Sequence, residues 1–146
     1  MYVKTNIEKL LEPANKALIH SGIVVIENNK DVIKEYDGYI SGFGATVINM
    51  GIKSTLAFYM KDVQELKRAE EREKPYEKPY RSRIVRALAQ ILEEVNEEKM
   101  FKKIIEIEDV NQLHQQTQKI IDASVALKLM IRTYRFTNKI QNTDEL

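Results

Sequence analysis

The residues of this chain whose type and spacing suit a binding chemistry are positively charged. Lys128, Arg132, Arg135 and Lys139 follow one another at intervals of four, three and four residues, with no acidic residue between them. On a helix this spacing places four positive charges along one stripe. Such a stripe can follow a phosphate backbone, because each phosphate that it neutralises releases a counterion. The same residues also suit a solvated helix end, where cations complement the helix dipole.

Further cations lie near the ends of other predicted helices. Arg83 and Arg86 stand at the start of one helix, and Lys53 and Lys61 flank another. Aromatic side chains nearby can stack on unpaired bases. The tyrosines in suitable positions are Tyr76, Tyr80 and Tyr134. The residue pattern alone does not favour RNA contact over a merely soluble surface.

Residues for catalysis or metal binding do not converge in this sequence. The two histidines, His20 and His114, lack the spacing of a metal-binding pair. The sequence contains no cysteine, which excludes disulfides, thiolate nucleophiles and cysteine-based metal sites. The many glutamates are interleaved with lysines and arginines, as is typical of a solvated helix face. We therefore predict that the chain is not an enzyme and binds neither a cofactor nor a metal, although acid–base chemistry on glutamates is a third hypothesis.

The composition is that of one globular domain spanning residues 1–146. Hydrophobic residues make up 43% of the 146 residues, and the formal net charge is +1. So small a net charge gives no general attraction to nucleic acid, so any such contact must depend on local clusters. No apolar run approaches the roughly 20 residues that span a bilayer, and the first residues do not resemble a signal peptide. We expect a cytoplasmic protein.

The elements that must position these cations are helices. Apolar residues recur at intervals of three and four and predict an all-α fold, a compact bundle of about five or six helices. The longest pattern runs from Val110 to Tyr134 after Asp109 as N-cap, and predicts a C-terminal helix approaching about 45 Å. Residues 67–80 are predicted to be a charged, proline-containing mobile loop, and residues 138–146 a frayed tail.

Three local features carry narrower expectations. The run Ile23–Ile26 is strand-like but has no evident partner strand, and is interpreted as a buried connection or a helix. Pro13 falls inside a helical pattern and is expected to kink or split that helix. The glycines at positions 38, 42 and 44 weaken their helix, and close packing of another helix would account for them.

Two segments carry a family resemblance. In Tyr39–Lys61, a set of residues occupies positions of a known signature, and near the C-terminus Arg135 and Phe136 match the end of a closing helix. The matching residues of the first segment are Phe43, Val47, Gly51, Ile52, Leu56, Ala57 and Phe58. The pattern resembles that of the small subunits of type III-B CRISPR (Cmr) effector complexes.

The resemblance implies a fold, a function and partners. Members are compact α-helical proteins that line the inside of an antiviral, RNA-guided complex, beside a large polymerase-like subunit, the backbone subunits and copies of themselves. A basic face lies along the guide or target RNA, whereas RNA cleavage and cyclic oligoadenylate synthesis belong to other subunits. The implied phosphate contacts are Lys53, Lys61, Arg83, Arg86, Lys128, Arg132, Arg135 and Lys139. The alternative is a helical protein–protein adaptor without nucleic-acid contact.

Overall fold

The computed structural model of the chain describes residues 6–28, 30–76 and 78–138. Within these residues the predicted all-α fold is confirmed, including its long C-terminal helix. The helices are α1 (Asn6–His20), α2 (Glu35–Met50), α3 (Ile52–Tyr59), α4 (Val63–Glu71), α5 (Ser82–Ile91), α6 (Glu97–Ile105) and α7 (Val110–Ile131). The short strands are β1 (Val24–Val25), β2 (Asp31–Ile33) and β3 (Phe136–Thr137).

The bundle is built around α7, which packs against α1 and α2, while α5 lies against α1, α6 and α7. Most of the helices contribute apolar side chains from one face, as the spacing of three and four predicts, whereas α5 is buried on almost all sides. Leu18, Phe43, Leu56, Leu88 and Leu127 are completely buried where the helices meet.

Helix α7 begins where it was predicted but ends earlier. The Asp109 carboxylate accepts a hydrogen bond from the Gln112 backbone N–H at 2.8 Å, which caps the first turn as expected. The helix ends at Ile131 after 22 residues, so it is about 33 Å long and not the predicted 45 Å. The remaining residues of the apolar pattern, up to Tyr134, lie in the turn that follows.

The segment between α3 and α5 is more helical than predicted. The apolar residues from Ile52 to Leu66 lie in two helices, α3 and α4, which are separated by a turn at residues 60–62. Helix α4 then continues to Glu71, which makes the start of the predicted loop at residues 67–80 helical. Only the part after Glu71 is irregular among the described residues, and its mobility stays a prediction.

A small three-stranded sheet was missed by the sequence reading. Strand β1 pairs antiparallel with β2, with Val24 opposite Val32, and β2 pairs in parallel with β3, with Val32 opposite Phe136. Residues Ile23–Ile26 are therefore neither an unpaired connection nor an α-helix, although Ile26 starts a short 3-10 helix. The pattern did not predict β2 as a partner strand, because Val32 lies four residues before Tyr36. This helical interval made Val32 look like part of α2.

Two expectations about helix-breaking residues are partly corrected. Helix α1 runs through Pro13 without being split, and Ala14, Ala17 and Leu18 on its buried face hold it against the core. Among the glycines of α2, a Cβ atom at Gly38 or Gly44 would meet no atom within 4 Å, so these two do not mark close packing within the described chain, and one at Gly42 would meet the Tyr59 hydroxyl at the ordinary contact distance of 3.8 Å.

Burial of the Tyr36 hydroxyl makes the free energy of unfolding depend on pH in the alkaline range. The hydroxyl accepts a hydrogen bond from the Tyr80 backbone N–H at 3.1 Å, and burial raises the pKa of this hydroxyl from 10.0 to about 12. The folded state therefore holds the proton more tightly than the unfolded state. This stabilisation is complete below pH 10.0 and is lost as the pH rises toward about 12.

We expect the free energy of unfolding to fall between these pH values and Tyr36→Phe to remove most of that dependence. Urea unfolding at several alkaline pH values measures both slopes. Equal pH slopes for the two proteins would contradict the assignment, because Tyr36 would then titrate like an exposed tyrosine.

Among the described residues, no helix combines the length and the apolar character that crossing a membrane requires.

Candidate nucleic-acid interface

The cations predicted to form one helical stripe are placed differently by the structure. Lys128 lies in the last turn of α7, but Arg132 and Arg135 lie beyond the helix, in the turn that leads into β3. The Arg135 carbonyl accepts a hydrogen bond from the Val32 N–H at 3.0 Å, so pairing with β2 directs the chain away from the helix axis. Lys139 lies outside the described residues. We call Lys128, Arg132 and Arg135 the α7-end surface.

Both arginines of the α7-end surface face a carboxylate. Arg135 donates to the two carboxylate oxygens of Asp31 at 3.0 and 2.7 Å, and Arg132 lies 3.4 Å from Asp37. The hydrogen bond from Arg135 holds the pKa of the Asp31 carboxyl below its usual value. Both arginine side chains are more than half exposed, so these pairs are weak and open to solvent. A phosphate that bound here would compete with the two aspartates.

Arg83 is not available for a phosphate. Only 2% of its surface is exposed, and its guanidinium donates to the Ser21 carbonyl at 2.7 Å and to the Pro75 carbonyl at 2.6 Å. The rings of Tyr76 and Tyr80 lie 5.4 and 5.9 Å from the same group. The prediction that Arg83 makes a surface contact is therefore wrong. Helix α5 is buried on almost all of its sides, and Arg83 is buried with it.

Arg86 and Lys53 are also occupied by intramolecular contacts. Arg86 forms ion pairs with Glu70 and Glu97, each at 3.0 Å, and its side chain is 18% exposed. Lys53 donates to the Ile107 carbonyl at 2.7 Å and so ties α3 to the segment between α6 and α7. These two cations stabilise the packing of the bundle, and a role in phosphate contact would require breaking those bonds.

The tyrosines proposed as stacking partners are mostly occupied as well. Tyr80 is buried, and the Tyr134 hydroxyl is hydrogen-bonded to the Asn15 side chain. Tyr76 is 37% exposed and covers one side of the buried Arg83. Of the three, only Tyr76 has a substantially exposed ring.

Lys61 belongs to a second cationic surface that the sequence reading did not identify. It lies in the turn before α4, and it lines a groove of about 760 Å³ between α4 and the irregular segment after it. We call this the α4 groove. Its charged lining residues are Lys61, Glu65, Arg68, Arg72, Lys74 and Lys78. The signal in the sequence was the spacing of seven and four that joins Lys61, Arg68 and Arg72, which dense neighbouring glutamates obscured.

Chemistry other than ionic contact finds little support in the described part of the chain. It holds no group of three or more histidine, aspartate or glutamate side chains arranged to bind a metal ion. The surface features that stand out are the α7-end surface, whose arginines are paired, and the α4 groove.

The comparisons with known proteins agree with the resemblance found in the sequence. A family model described as CRISPR-associated protein (Cas_Cmr5) matches residues 14–134. The match begins at residue 14, within α1, and ends in the turn after α7, so it includes the second half of α1 and all of α2 to α7. No curated protein and no solved structure matches the chain.

Proposed function

Because the chain belongs to the Cas_Cmr5 family, whose members are the small subunits of Cmr-type (type III-B) CRISPR complexes, we propose that it is a non-catalytic structural subunit that contacts RNA in such a complex. The observation that carries this proposal is the family match over residues 14–134. The subunit acts in antiviral defence in the cytoplasm, with the large subunit, the backbone subunits and copies of itself as partners. Its helices supply packing surfaces, and RNA chemistry belongs to other subunits.

The proposed RNA contact is a contact to phosphates. Lys128, Arg132 and Arg135 supply three cations at and just after the end of α7, and both arginines are largely exposed. Contacts to phosphates carry no sequence information, so a contact of this kind tolerates any RNA sequence. The paired aspartates make each contact weaker, but several subunits in a row add their contacts along one RNA.

The test reverses the charge of the α7-end surface in the assembled complex. We expect Lys128→Glu, Arg132→Glu and Arg135→Glu together to weaken capture of target RNA by at least about tenfold at physiological salt. The slope of log affinity against log salt should fall by about 2 per subunit, since each lost phosphate contact removes about 0.7 for single strands. Affinity is measured by fluorescence anisotropy after confirming equal incorporation of the subunit.

A matched control carries the same change in charge elsewhere. Lys99, Lys102 and Lys119 are exposed lysines on α6 and α7, and their reversal to glutamate should leave RNA capture unchanged. If glutamates close to Asp31 prevent incorporation of the subunit into the complex, the same three residues are replaced by glutamine and RNA capture is measured with that variant. Unchanged affinity and unchanged salt slope in the α7-end variants would overturn the RNA contact proposed for this surface.

A second candidate function, a helical adaptor that makes only protein contacts, has its own supporting observation. Ile48, Val95 and Val110 are large apolar side chains that are about four-fifths exposed on three different parts of the surface. Exposed apolar groups of this size suit contacts with neighbouring subunits. In this case the α7-end variants would leave RNA capture unaltered, whereas substitution of these apolar residues by serine would reduce incorporation into the complex.

A further inference from the structure

We propose that the α4 groove binds the sugar–phosphate backbone of single-stranded RNA, at a site separate from the α7-end surface. This inference rests on the proposed function, because RNA is taken as the polyanion that the complex presents. It adds a second contact surface, in which Lys61 is joined by four cations that the sequence pattern did not single out. The argument depends on the charge, the pairing and the shape of the groove.

Positive charge is concentrated in the groove far beyond the average of the chain. Its described lining contains five cationic side chains and one anionic side chain, a net of four positive charges. The whole chain nets only +1, so the remainder of the sequence nets three negative charges. A polyanion near this protein is therefore attracted to the groove and repelled from much of the remaining surface.

The principal cations of the groove are free to accept a new partner. Lys61, Arg68 and Arg72 form no ion pair with any residue in the part of the chain that the structure describes. Arg68 lies in α4, and Arg72 is the C-cap residue four positions later, about 6 Å further along the helix axis. In contrast with the α7-end surface, a phosphate that binds here displaces no carboxylate from these arginines.

The wall opposite α4 is held in place by internal bonds. The Asp62 carboxylate, just before α4, accepts hydrogen bonds from the backbone N–H groups of Arg81 and Ser82 at 2.7 and 2.9 Å. The buried guanidinium of Arg83 holds the Pro75 carbonyl, and Lys78 forms an ion pair with Glu65 across the groove. A binding surface that is already ordered loses less conformational entropy when its ligand arrives.

The lining favours a nucleic-acid strand over a protein segment. Ala69 and the largely buried Tyr80 are the apolar side chains that border the groove, whereas protein–protein interfaces usually have an apolar core. Its concave shape between a helix and a neighbouring loop admits one strand, while the wide convex surface of a duplex would touch only the rim. Bases of the bound strand point outward, so the site does not select a sequence.

The test compares two variants with the same loss of charge. Arg68→Gln with Arg72→Gln removes two cations from the groove, and Arg132→Gln with Arg135→Gln removes two from the α7-end surface. Each is incorporated into the assembled complex, and binding of a labelled single-stranded target RNA is followed by anisotropy at several salt concentrations. We expect the groove variant to lose at least about tenfold in affinity and about 1.4 in salt slope.

The outcomes separate this inference from the proposed function. If only the α7-end variant loses affinity, the proposal that the α4 groove binds RNA is wrong, and the proposed RNA contact of the α7-end surface is supported. Loss in the groove variant alone supports the groove and moves the RNA contact away from α7. If neither variant loses affinity, both RNA contacts are wrong. Unaltered RNA affinity with reduced incorporation of the groove variant would instead indicate an acidic segment of a neighbouring protein.

The choice of a single strand is tested by competition. An unlabelled RNA duplex of the same length should displace the labelled strand from the wild-type complex much less well than the unlabelled single strand does. The single-strand assignment would be overturned if the duplex displaced the labelled strand as well as the single strand does, and if the groove variant no longer showed this displacement by the duplex.

Discussion

Replacing Gly22 with alanine is expected to reduce the free energy of unfolding by roughly 2–4 kcal/mol. Gly22 has a φ angle of +84°, a conformation that alanine adopts only with strain. A Cβ atom at this position would also lie 2.0 Å from Nη1 and 3.0 Å from Cζ of Arg83. The substitution therefore adds backbone strain and displaces a buried guanidinium from its hydrogen bonds.

Two other glycines separate these contributions. Gly51 also has a positive φ, of +83°, but a Cβ there would meet no atom within 4 Å, so Gly51→Ala measures strain alone. Gly44 lies within α2 with neither feature, and Gly44→Ala should stabilise the protein by up to about 1 kcal/mol. Urea unfolding of the three variants gives the order. A Gly22→Ala variant as stable as the wild-type protein would contradict the position of Arg83.

The main helices could be predicted from the sequence because their signals are local. The intervals of three and four in α2 and α7 reflect one buried face per helix, and Asp109 is a local capping signal that the structure reproduces. Gly22 is a further local signal, since glycine often follows the end of a helix, and α1 ends two residues before it. These features depend on neighbours within one or two turns, so a single sequence contains them.

The sheet could not be predicted because its partners are far apart in the sequence. Strand β2 at residue 32 pairs with β3 at residue 136, and the residues around either strand do not indicate which segment is its partner. The same pairing ends α7 early, which separates Arg132 and Arg135 from the helical stripe that their spacing predicts. A pattern of cations specifies a face only if the helix continues through them.

The candidate site was only partly predictable for a related reason. Arg83 was assigned to the surface because it is charged, yet Ser82, Ile84 and Val85 beside it are all buried. Helix α5 has little polar surface, so the density of small and apolar residues around Arg83 was the available signal for burial. In α4 the reverse occurred, since surrounding glutamates made Arg68 and Arg72 look like ordinary solvated charges.

Replacing Arg83 with methionine is expected to destabilise the protein by about 2 kcal/mol and to loosen the wall of the α4 groove. The substitution removes charged donors from the Ser21 and Pro75 carbonyls, which lie on segments far apart in the sequence. It also removes the contacts of the guanidinium with Tyr76 and Tyr80, worth roughly 0.5–2 kcal/mol each. The relieved cost of burying a charge offsets part of this loss, since methionine fills a similar length without one.

Amide hydrogen exchange shows which residues become less protected in the Arg83→Met variant. Amides in residues 72–80 should exchange at least about tenfold faster in Arg83→Met, whereas those of α7 should change only as global stability requires. Arg83→Lys keeps the charge but cannot reach both carbonyls in a fork, so its exchange should be intermediate. Unaltered exchange of residues 72–80 in Arg83→Met would show that other bonds hold this segment.

A double-mutant cycle joins this substitution to that of Gly22. The atoms that a Cβ at position 22 would strike belong to Arg83, and the next nearest is a Tyr76 ring carbon at 3.6 Å, an ordinary contact distance. In the Arg83→Met background, Gly22→Ala should therefore cost only the backbone strain at position 22, less than it costs in the wild-type protein. The coupling free energy should be about 1–2 kcal/mol, and additive effects of the two substitutions would show that the guanidinium does not lie against this turn.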